Sequence, residues 1–114
     1  MNRRRKPGAD VADSLLPLVK ANLIIPHNED DALIISYIRA AVNYAESYQK
    51  KPEGYYNKSL LSPSTQQAVI MLSSHFYESR DGSTGGFFAD KAGAAEQVWT
   101  VVNRLLIQGK DWQV

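Results

Sequence analysis

The sequence predicts an all-α fold, a small bundle of about four helices with one long central helix and two irregular loops. Apolar residues recur every three or four positions along most of the chain, which is the spacing of a helix face and not of a strand. Prolines and glycines divide these periodic stretches into four. The chain has 114 residues, 44% of them hydrophobic, as expected for one small globular domain.

A short first helix is predicted over about residues 14–22. Ser14 is a suitable N-cap, and Pro17 would lie in the first turn, where a missing backbone N–H costs little. The apolar step after this helix runs into Pro26, which stops regular structure.

The chain before this helix is basic. Residues 1–10 carry a formal charge of +3 and the remainder carries −2, which together give the net charge of +1. We interpret residues 1–12 as a flexible basic tail and residues 13–114 as a single helical domain. The weakly acidic domain disfavours nucleic-acid binding over its whole surface, so only the tail is expected to contact DNA or an acidic partner. Its basic residues are Arg3, Arg4, Arg5 and Lys6.

The second and longest helix is predicted over about residues 29–50, with Asn28 as its N-cap. Three carboxylates, those of Glu29, Asp30 and Asp31, would fill its first turn, where the helix dipole favours negative charge. Its apolar surface is broader than one stripe. We therefore expect this helix to be central in the bundle or partly covered by another subunit.

A loop over residues 52–62 separates this helix from a third, predicted over about residues 63–79. Ser62 is a suitable N-cap for the third helix, and Pro63 is suited to the first helical position.

A glycine-rich second loop, residues 82–92, precedes the last helix, predicted over about residues 93–108 with Gly109 as its C-cap. Phe87 and Phe88 lie in this loop, where they either tuck under the core or bind a partner.

Nothing in the sequence predicts an enzyme, a cofactor or a metal site. The chain has no cysteine, and His27 and His75 have no third ligand at metal-binding spacing. The consecutive carboxylates of Glu29, Asp30 and Asp31 would point in different directions around a helix, so they would not converge on one metal ion. The glycine-rich loop over residues 82–92 matches no phosphate-binding motif. No apolar stretch is long enough to cross a membrane, and we expect no secretory signal.

Aromatic residues in loops and near the C-terminus are expected to contact other proteins. Trp112, in the terminal tail, is expected to dock on this subunit or a neighbouring one. An alternative for the tyrosines of the first loop is stacking on single-stranded nucleic acid, aided by the nearby Lys58 and the basic tail. The predicted partner-interface residues are Phe87, Phe88, Trp99, Trp112, Tyr55 and Tyr56.

Three stretches, residues 19–25, 29–48 and 67–80, resemble in order and spacing the head–tail connector, or head-completion, proteins of long-tailed lambdoid phages. In that family an acidic pair opens the long helix, as Asp30 and Asp31 would here. After a variable loop comes a helix of the pattern A-x-x-x-L followed by H-x-Y/F-x-x-R, which residues 68–80 resemble. The resemblance covers about residues 15–80; the C-terminal third is similar only in being helical, and the basic stretch before Asp10 has no counterpart in the family.

The resemblance implies a structural subunit that forms an oligomeric ring, a dodecamer in the virion, beneath the portal protein. Such a ring joins the DNA-filled head to a tail-side connector or stopper protein. DNA passes through it without sequence-specific binding, and the ring has no contact with a membrane. It would be assembled in the host cytoplasm and reside at the head–tail junction of the virion.

Two alternatives stay open at this point. The chain could be a small helical nucleic-acid-binding module that uses its basic tail, in which case binding would weaken steeply with salt. It could also be a helical adaptor unrelated to phages.

Overall fold

The computed structural model describes residues 10–80 and 92–109, and within these residues it contains five helices and no strand. The predicted all-α bundle is therefore confirmed. The helices are α1 (Val11–Leu23), α2 (Asp31–Tyr48), α3 (Tyr55–Lys58), α4 (Pro63–Glu78) and α5 (Ala92–Ile107). The single turn α3 lies in the segment predicted to be wholly irregular.

The longest helix, α2, is central, as the sequence predicts. It packs against α1, α4 and α5 and also contacts α3, while α4 packs against α1, α2 and α5. Val42, one of the residues that broaden the apolar surface of α2, is buried, whereas Leu33 and Ala40 remain exposed. The largest apolar side chains that are fully buried are those of Ile34, Ile38, Leu72, Leu106, Val19, Val69 and Val102.

The first helix begins earlier than predicted, and its N-cap is Asp10 and not Ser14. The Asp10 carboxylate accepts a hydrogen bond from the Asp13 backbone N–H at 3.1 Å. Ser14 lies inside the helix, and its hydroxyl donates to the Val11 carbonyl at 2.8 Å. Pro17 is consequently in the helix interior and not in the first turn.

Burial explains this earlier start. Val11 and Ala12 are buried in the core, and Val11 continues the stripe of Leu15 and Val19 backwards by one turn. The apolar surface that these residues remove from water outweighs the helix hydrogen bond lost at Pro17. Both residues therefore belong to the helical domain, although the sequence assigned them to the tail.

The second helix begins at Asp31, two residues later than predicted, and Asn28 does not cap it. Asn28 instead accepts a hydrogen bond from the Lys20 ammonium at 2.6 Å. Asp30 occupies the N-cap position without a side-chain capping bond, because its carboxylate accepts a hydrogen bond from the Tyr77 hydroxyl. Contacts between helices thus replace the local caps that the sequence suggested.

The remaining helix boundaries agree closely with the prediction. Ser62 caps α4 by accepting a hydrogen bond from the Thr65 N–H at 3.2 Å, and Pro63 is the first helical residue. The last helix, α5, ends at Ile107, and the Gly109 N–H donates to the carbonyl of Leu106 at 3.0 Å.

The bundle has two ends, which lie about 26 Å apart because α2 has 18 residues at a rise of about 1.5 Å each. At the Asp31 end, α1 and α4 finish and α2 begins; the Lys20 ammonium and the Asp31 carboxylate pair there at 2.8 Å. At the Gln49 end, α2 and α5 finish, and α3 and the first turn of α4 close the bundle.

Candidate interaction surfaces

A buried polar network holds the Gln49 end together. The side-chain amide of Gln49 is completely buried, and its N–H groups donate to the Thr65 hydroxyl and the Leu106 carbonyl, each at 2.9 Å. Its carbonyl oxygen accepts a hydrogen bond from the Tyr56 hydroxyl. One side chain therefore joins α2 to α3, α4 and α5, and buried amides of this kind stabilise a fold only when all their bonds are made.

A second buried polar side chain fixes the first loop. The carboxylate of Glu46 accepts hydrogen bonds from the backbone N–H groups of Gly54 at 3.1 Å and of Tyr56 at 3.0 Å. These donors lie at the N-terminus of α3, where a negative charge is favoured. The loop is therefore held against α2 by side chains of α2 itself.

Sequence reasoning missed both of these residues, although one signal was available for Gln49. Ile38, Val42 and Ala45 are buried at helical spacing, and Gln49 occupies the next position of the same stripe. A polar residue at an apolar stripe position indicates a buried hydrogen-bonding role.

The two loop tyrosines predicted at an interface lie in different environments. Tyr56 is only 4% exposed and is a core residue of the subunit. Tyr55 is half-buried, packs edge-on against the Tyr56 ring at 5.0 Å, and lies under the Lys51 ammonium at 5.0 Å. Only Tyr55 therefore leaves substantial surface for contact with a partner.

Trp99 lies in a half-buried row of aromatic rings, the aromatic row, which joins α5 to α2 and α4. Its ring is edge-on to Tyr44 at 5.1 Å and tilted against Phe76 at 6.2 Å, and the row continues to Tyr37 and Tyr48. The Tyr44 hydroxyl also donates to the side chain of Asn103 on α5 at 2.6 Å. Burial raises the pKa of Tyr44, which keeps this hydroxyl protonated and able to donate. Trp99 is thus committed in part to packing within the subunit.

Several large apolar side chains are exposed. Ile24, which ends α1, is 85% exposed, and Leu60, between α3 and α4, is 72% exposed. Ile24 also has a left-handed backbone, with φ of 59°, a conformation that is rare for a β-branched residue. Leu18, Leu33, Val101 and Ile107 are exposed to a smaller extent.

A cleft of about 380 Å³ lies between α2, the start of α1 and the first loop, and Glu53 and Asn57 help to line it. The Asp10 carboxylate and the Arg39 guanidinium pair across it at 2.9 Å. Burial opposes ionisation of Asp10, but hydrogen bonds from the Asp13 N–H and from Arg39 outweigh it and lower the pKa of Asp10. The ion pair in the cleft wall thus includes the carboxylate that caps α1.

The three consecutive carboxylates have different partners, which agrees with the expectation that they do not converge. Glu29 is exposed, Asp30 accepts from Tyr77, and Asp31 pairs with Lys20. The hydrogen bond to Asp30, together with burial, raises the pKa of Tyr77, and the Arg80 guanidinium stacks on the Tyr77 ring at 3.9 Å.

The two histidines have different surroundings. His27 is exposed and accepts a hydrogen bond from the Glu29 N–H at 3.3 Å, and His75 is half-buried in α4 beside Phe76. Across residues 10–80 and 92–109, no three acidic, histidine or cysteine side chains gather closely enough to hold a metal ion. No helix in that part of the chain is long and apolar enough to span a membrane.

The remaining predicted interface residues lie outside the described residues. They are Phe87 and Phe88 of the second loop, Trp112 of the C-terminal segment, and the basic residues Arg3, Arg4, Arg5 and Lys6.

Comparison with known proteins identifies one family. The sequence model of the phage gp6-like head-tail connector proteins matches residues 14–96. The match extends from α1 into the start of α5, beyond residue 80, where the resemblance seen in the sequence ended. No curated protein matches the chain, and no solved structure matches it.

Proposed function

We propose that this chain, which belongs to the family of phage gp6-like head-tail connector proteins, forms a ring of identical subunits that docks beneath the portal. Membership in the family implies a structural role at the head–tail junction of the virion. The ring, its portal contact and its twelve subunits are proposed here. We also propose that the chain catalyses no reaction and that its role is in assembly of the virion.

The observation that carries the proposal is the family match over residues 14–96, which takes in α1 to α4 and the start of α5. The surface of the subunit supports self-association, because Ile24 and Leu60 expose most of their apolar side chains to solvent. An interface in which different surfaces of two copies meet closes into a ring when the rotation per subunit is right.

We assign the portal and the tail-side connector or stopper protein as partners of the second loop and the C-terminal segment. Phe87, Phe88 and Trp112 are the proposed contact residues, with Tyr55 and Trp99 as further candidates on the described surface. DNA passes through the ring without sequence-specific binding. The basic residues Arg3, Arg4, Arg5 and Lys6 contact its phosphates or an acidic surface of a partner. Assembly takes place in the host cytoplasm.

The test is electron microscopy of the purified chain, alone and mixed with portal protein. We expect rings, either free or only on the portal. An infection by phage that lacks the chain should yield filled heads to which no tails are attached. Normal tail attachment without the chain would refute the role.

The loop contact is tested by replacing Phe87 and Phe88 together with serine. The monomer should keep its helical circular-dichroism spectrum and its unfolding transition, whereas ring docking on the portal should be lost. Docking at unchanged affinity would remove the loop from the proposed interface and leave the ring itself in place.

A gel shift with duplex DNA at low salt separates this proposal from the nucleic-acid-binding alternative. A connector subunit is expected to bind weakly and without sequence preference. Tight sequence-specific binding that is lost when residues 1–8 are deleted would favour the alternative.

A further inference from the structure

We propose that copies of this chain associate head to tail through the two ends of the bundle, with the Asp31 end of one copy against the Gln49 end of the next. The inference rests on the proposed ring and names the surfaces that would form it. Apolar exposure, charge and backbone strain support it.

The two most exposed large apolar residues of the described chain lie at opposite ends of the bundle. Ile24 is at the Asp31 end, directly after the α1 turn that contains Lys20. Leu60 is at the Gln49 end, between α3 and the Ser62 cap of α4. Each end therefore offers one apolar side chain that the subunit itself does not cover.

The two ends carry opposite charge. At the Asp31 end, the described residues carry four carboxylates and two cations, a formal charge of −2; they are Glu29, Asp30, Asp31 and Glu78, with Lys20 and Arg80. At the Gln49 end, the start of α1 lies beside the first loop, and its Asp10 is neutralised by the pair with Arg39. The other described charges there are four cations and two surface carboxylates, a formal charge of +2; the residues are Lys50, Lys51, Lys58 and Arg104, with Asp13 and Glu53. The carboxylate of Glu46 lies beneath that surface, bound by two backbone N–H groups.

This distribution of charge favours a second copy of the chain as the partner, in a head-to-tail contact and not a two-fold one. A two-fold contact made end to end would place an end against the same end of its partner, like charge against like, which is unfavourable. A head-to-tail contact places −2 against +2 and brings Ile24 close to Leu60. The occupant that fits either end is therefore the opposite end of a second copy.

The backbone at the ends of α1 and α2 supports the same conclusion. Ile24 and Lys50 each adopt a left-handed conformation, with φ of 59° and 63°, where glycine is the unstrained residue. The hydrogen bonds from the Ile25 N–H to the Lys20 carbonyl and from the Lys51 N–H to the Glu46 carbonyl complete the two turns. The side chains of Ile24 and Lys50 are exposed, so within the subunit they gain little in return for the strain.

The first experiment substitutes Ile24→Gly, and in parallel Lys50→Gly, in the full chain. Each glycine relieves strain, so the melting temperature should stay the same or rise. Association, measured by analytical ultracentrifugation with and without portal, should weaken about tenfold or more. Val101→Thr, on an exposed position in the middle of α5, is the matched control and should leave association unchanged.

Cross-linking then identifies which surfaces meet, and it is direct because the chain has no natural cysteine. We expect Ile24→Cys protein mixed with Leu60→Cys protein to form a disulfide-linked dimer, and neither variant to cross-link with itself. The variant that carries both cysteines should form a ladder of oligomers. Val101→Cys protein should cross-link with none of them.

Three outcomes are distinguishable. A ring that forms normally with Ile24→Gly and gives no mixed cross-link overturns this interface but leaves the proposed ring intact. A cross-link of Ile24→Cys protein with itself overturns the head-to-tail arrangement. A wild-type chain that forms no ring, alone or on the portal, refutes the proposed function on which the inference rests.

Discussion

Replacing Gln49 with leucine tests whether the buried network holds the Gln49 end of the bundle together. Leucine has a similar size and is apolar, so the substitution keeps the packing and removes only the hydrogen bonds. The amide loses two donated bonds, to Thr65 and Leu106, and one accepted bond, from Tyr56.

The magnitude follows from these three bonds, each with a net contribution of about 0.5–1.5 kcal/mol. The partners keep other bonds, since the Thr65 hydroxyl accepts from Ser62 at 3.0 Å and the Leu106 carbonyl accepts from Gly109. The added apolar surface of leucine offsets part of the loss. We therefore expect the free energy of unfolding to fall by about 2 kcal/mol, a large fraction of the roughly 5–15 kcal/mol typical of a domain.

Urea unfolding followed by circular dichroism measures this change. The midpoint should fall by roughly 1 M at unchanged slope, because urea slopes for small proteins are about 1–3 kcal/mol per molar. The matched control is Gln67→Leu on the exposed face of α4, which should change the midpoint little. If Gln49→Leu proved as stable as the wild type, the network would contribute specificity alone and the energetic reasoning would be wrong.

The Gln49→Glu substitution removes the two N–H donors of the amide but keeps the shape of the side chain and an acceptor for Tyr56. A carboxylate keeps the acceptor for Tyr56 but turns negative oxygens towards the Thr65 hydroxyl oxygen and the Leu106 carbonyl. The cost at pH 7 should exceed that of leucine, because a buried negative charge is turned towards the Leu106 carbonyl oxygen with too few donors to compensate for it. Burial raises the pKa of this carboxyl in the folded chain, so the cost of the charge should shrink as the pH falls below that raised value. It should be gone below about 4, where the glutamate is protonated in the unfolded chain as well.

Three further predictions concern individual side chains. Ser62→Ala should lower the free energy of unfolding by about 1 kcal/mol in urea, because it removes the N-cap of α4, whereas Ser64→Ala should have little effect. Asp10→Ala should cost about 1 kcal/mol at pH 7 through the lost α1 cap. Because the pKa of Asp10 is lowered in the folded protein, this stabilisation is present above the unfolded value of about 4, and the difference from the wild type should vanish as the pH falls through the folded value. Tyr77, whose pKa is raised by its hydrogen bond to Asp30, should ionise late in a spectrophotometric titration. Because burial also raises the pKa of Tyr44 and Tyr56, Tyr77→Phe should reduce the late component by one tyrosine and not abolish it. Its stabilisation is present below about pH 10 and is lost as the pH rises through the raised folded value.

The sequence predicted the elements whose signals are local. The Ser62–Pro63 start of α4 was predicted correctly because a cap and a first-turn proline lie side by side. The start of α1 was misplaced because Asp10 and Ser14 are both good caps, and only the burial of Val11 decides between them. Helix α3 was missed because its N-terminus is bound by Glu46, eight residues from Gly54, which no periodicity reveals.

The same distinction applies to the candidate surfaces. Tyr56 and Tyr55 are equivalent in the sequence, and only the hydrogen bond from Tyr56 to Gln49 assigns one ring to the core and leaves the other half-exposed. The charge difference between the two ends is only partly visible in the sequence, as the acidic run 29–31 and the basic stretch 50–58. Glu78 and Arg80 join the acidic run only because α4 packs against α2, as the hydrogen bond from Tyr77 to Asp30 shows.

The free energies at Ile24 favour an external contact over a structural role. A left-handed backbone costs a non-glycine residue about 1–2 kcal/mol. Replacing that residue with glycine removes this cost but adds roughly 0.5–1 kcal/mol, because glycine loses more chain entropy on folding. Burying an isoleucine side chain contributes about 1.5–3 kcal/mol, but Ile24 is 85% exposed in the subunit and obtains little of this. A contact between copies would supply most of it, and in a closed ring every subunit would make that contact once. An isoleucine at this position thus adds little or no stability to the monomer but stabilises the ring, which is why Ile24→Gly should weaken association while the melting temperature stays the same or rises.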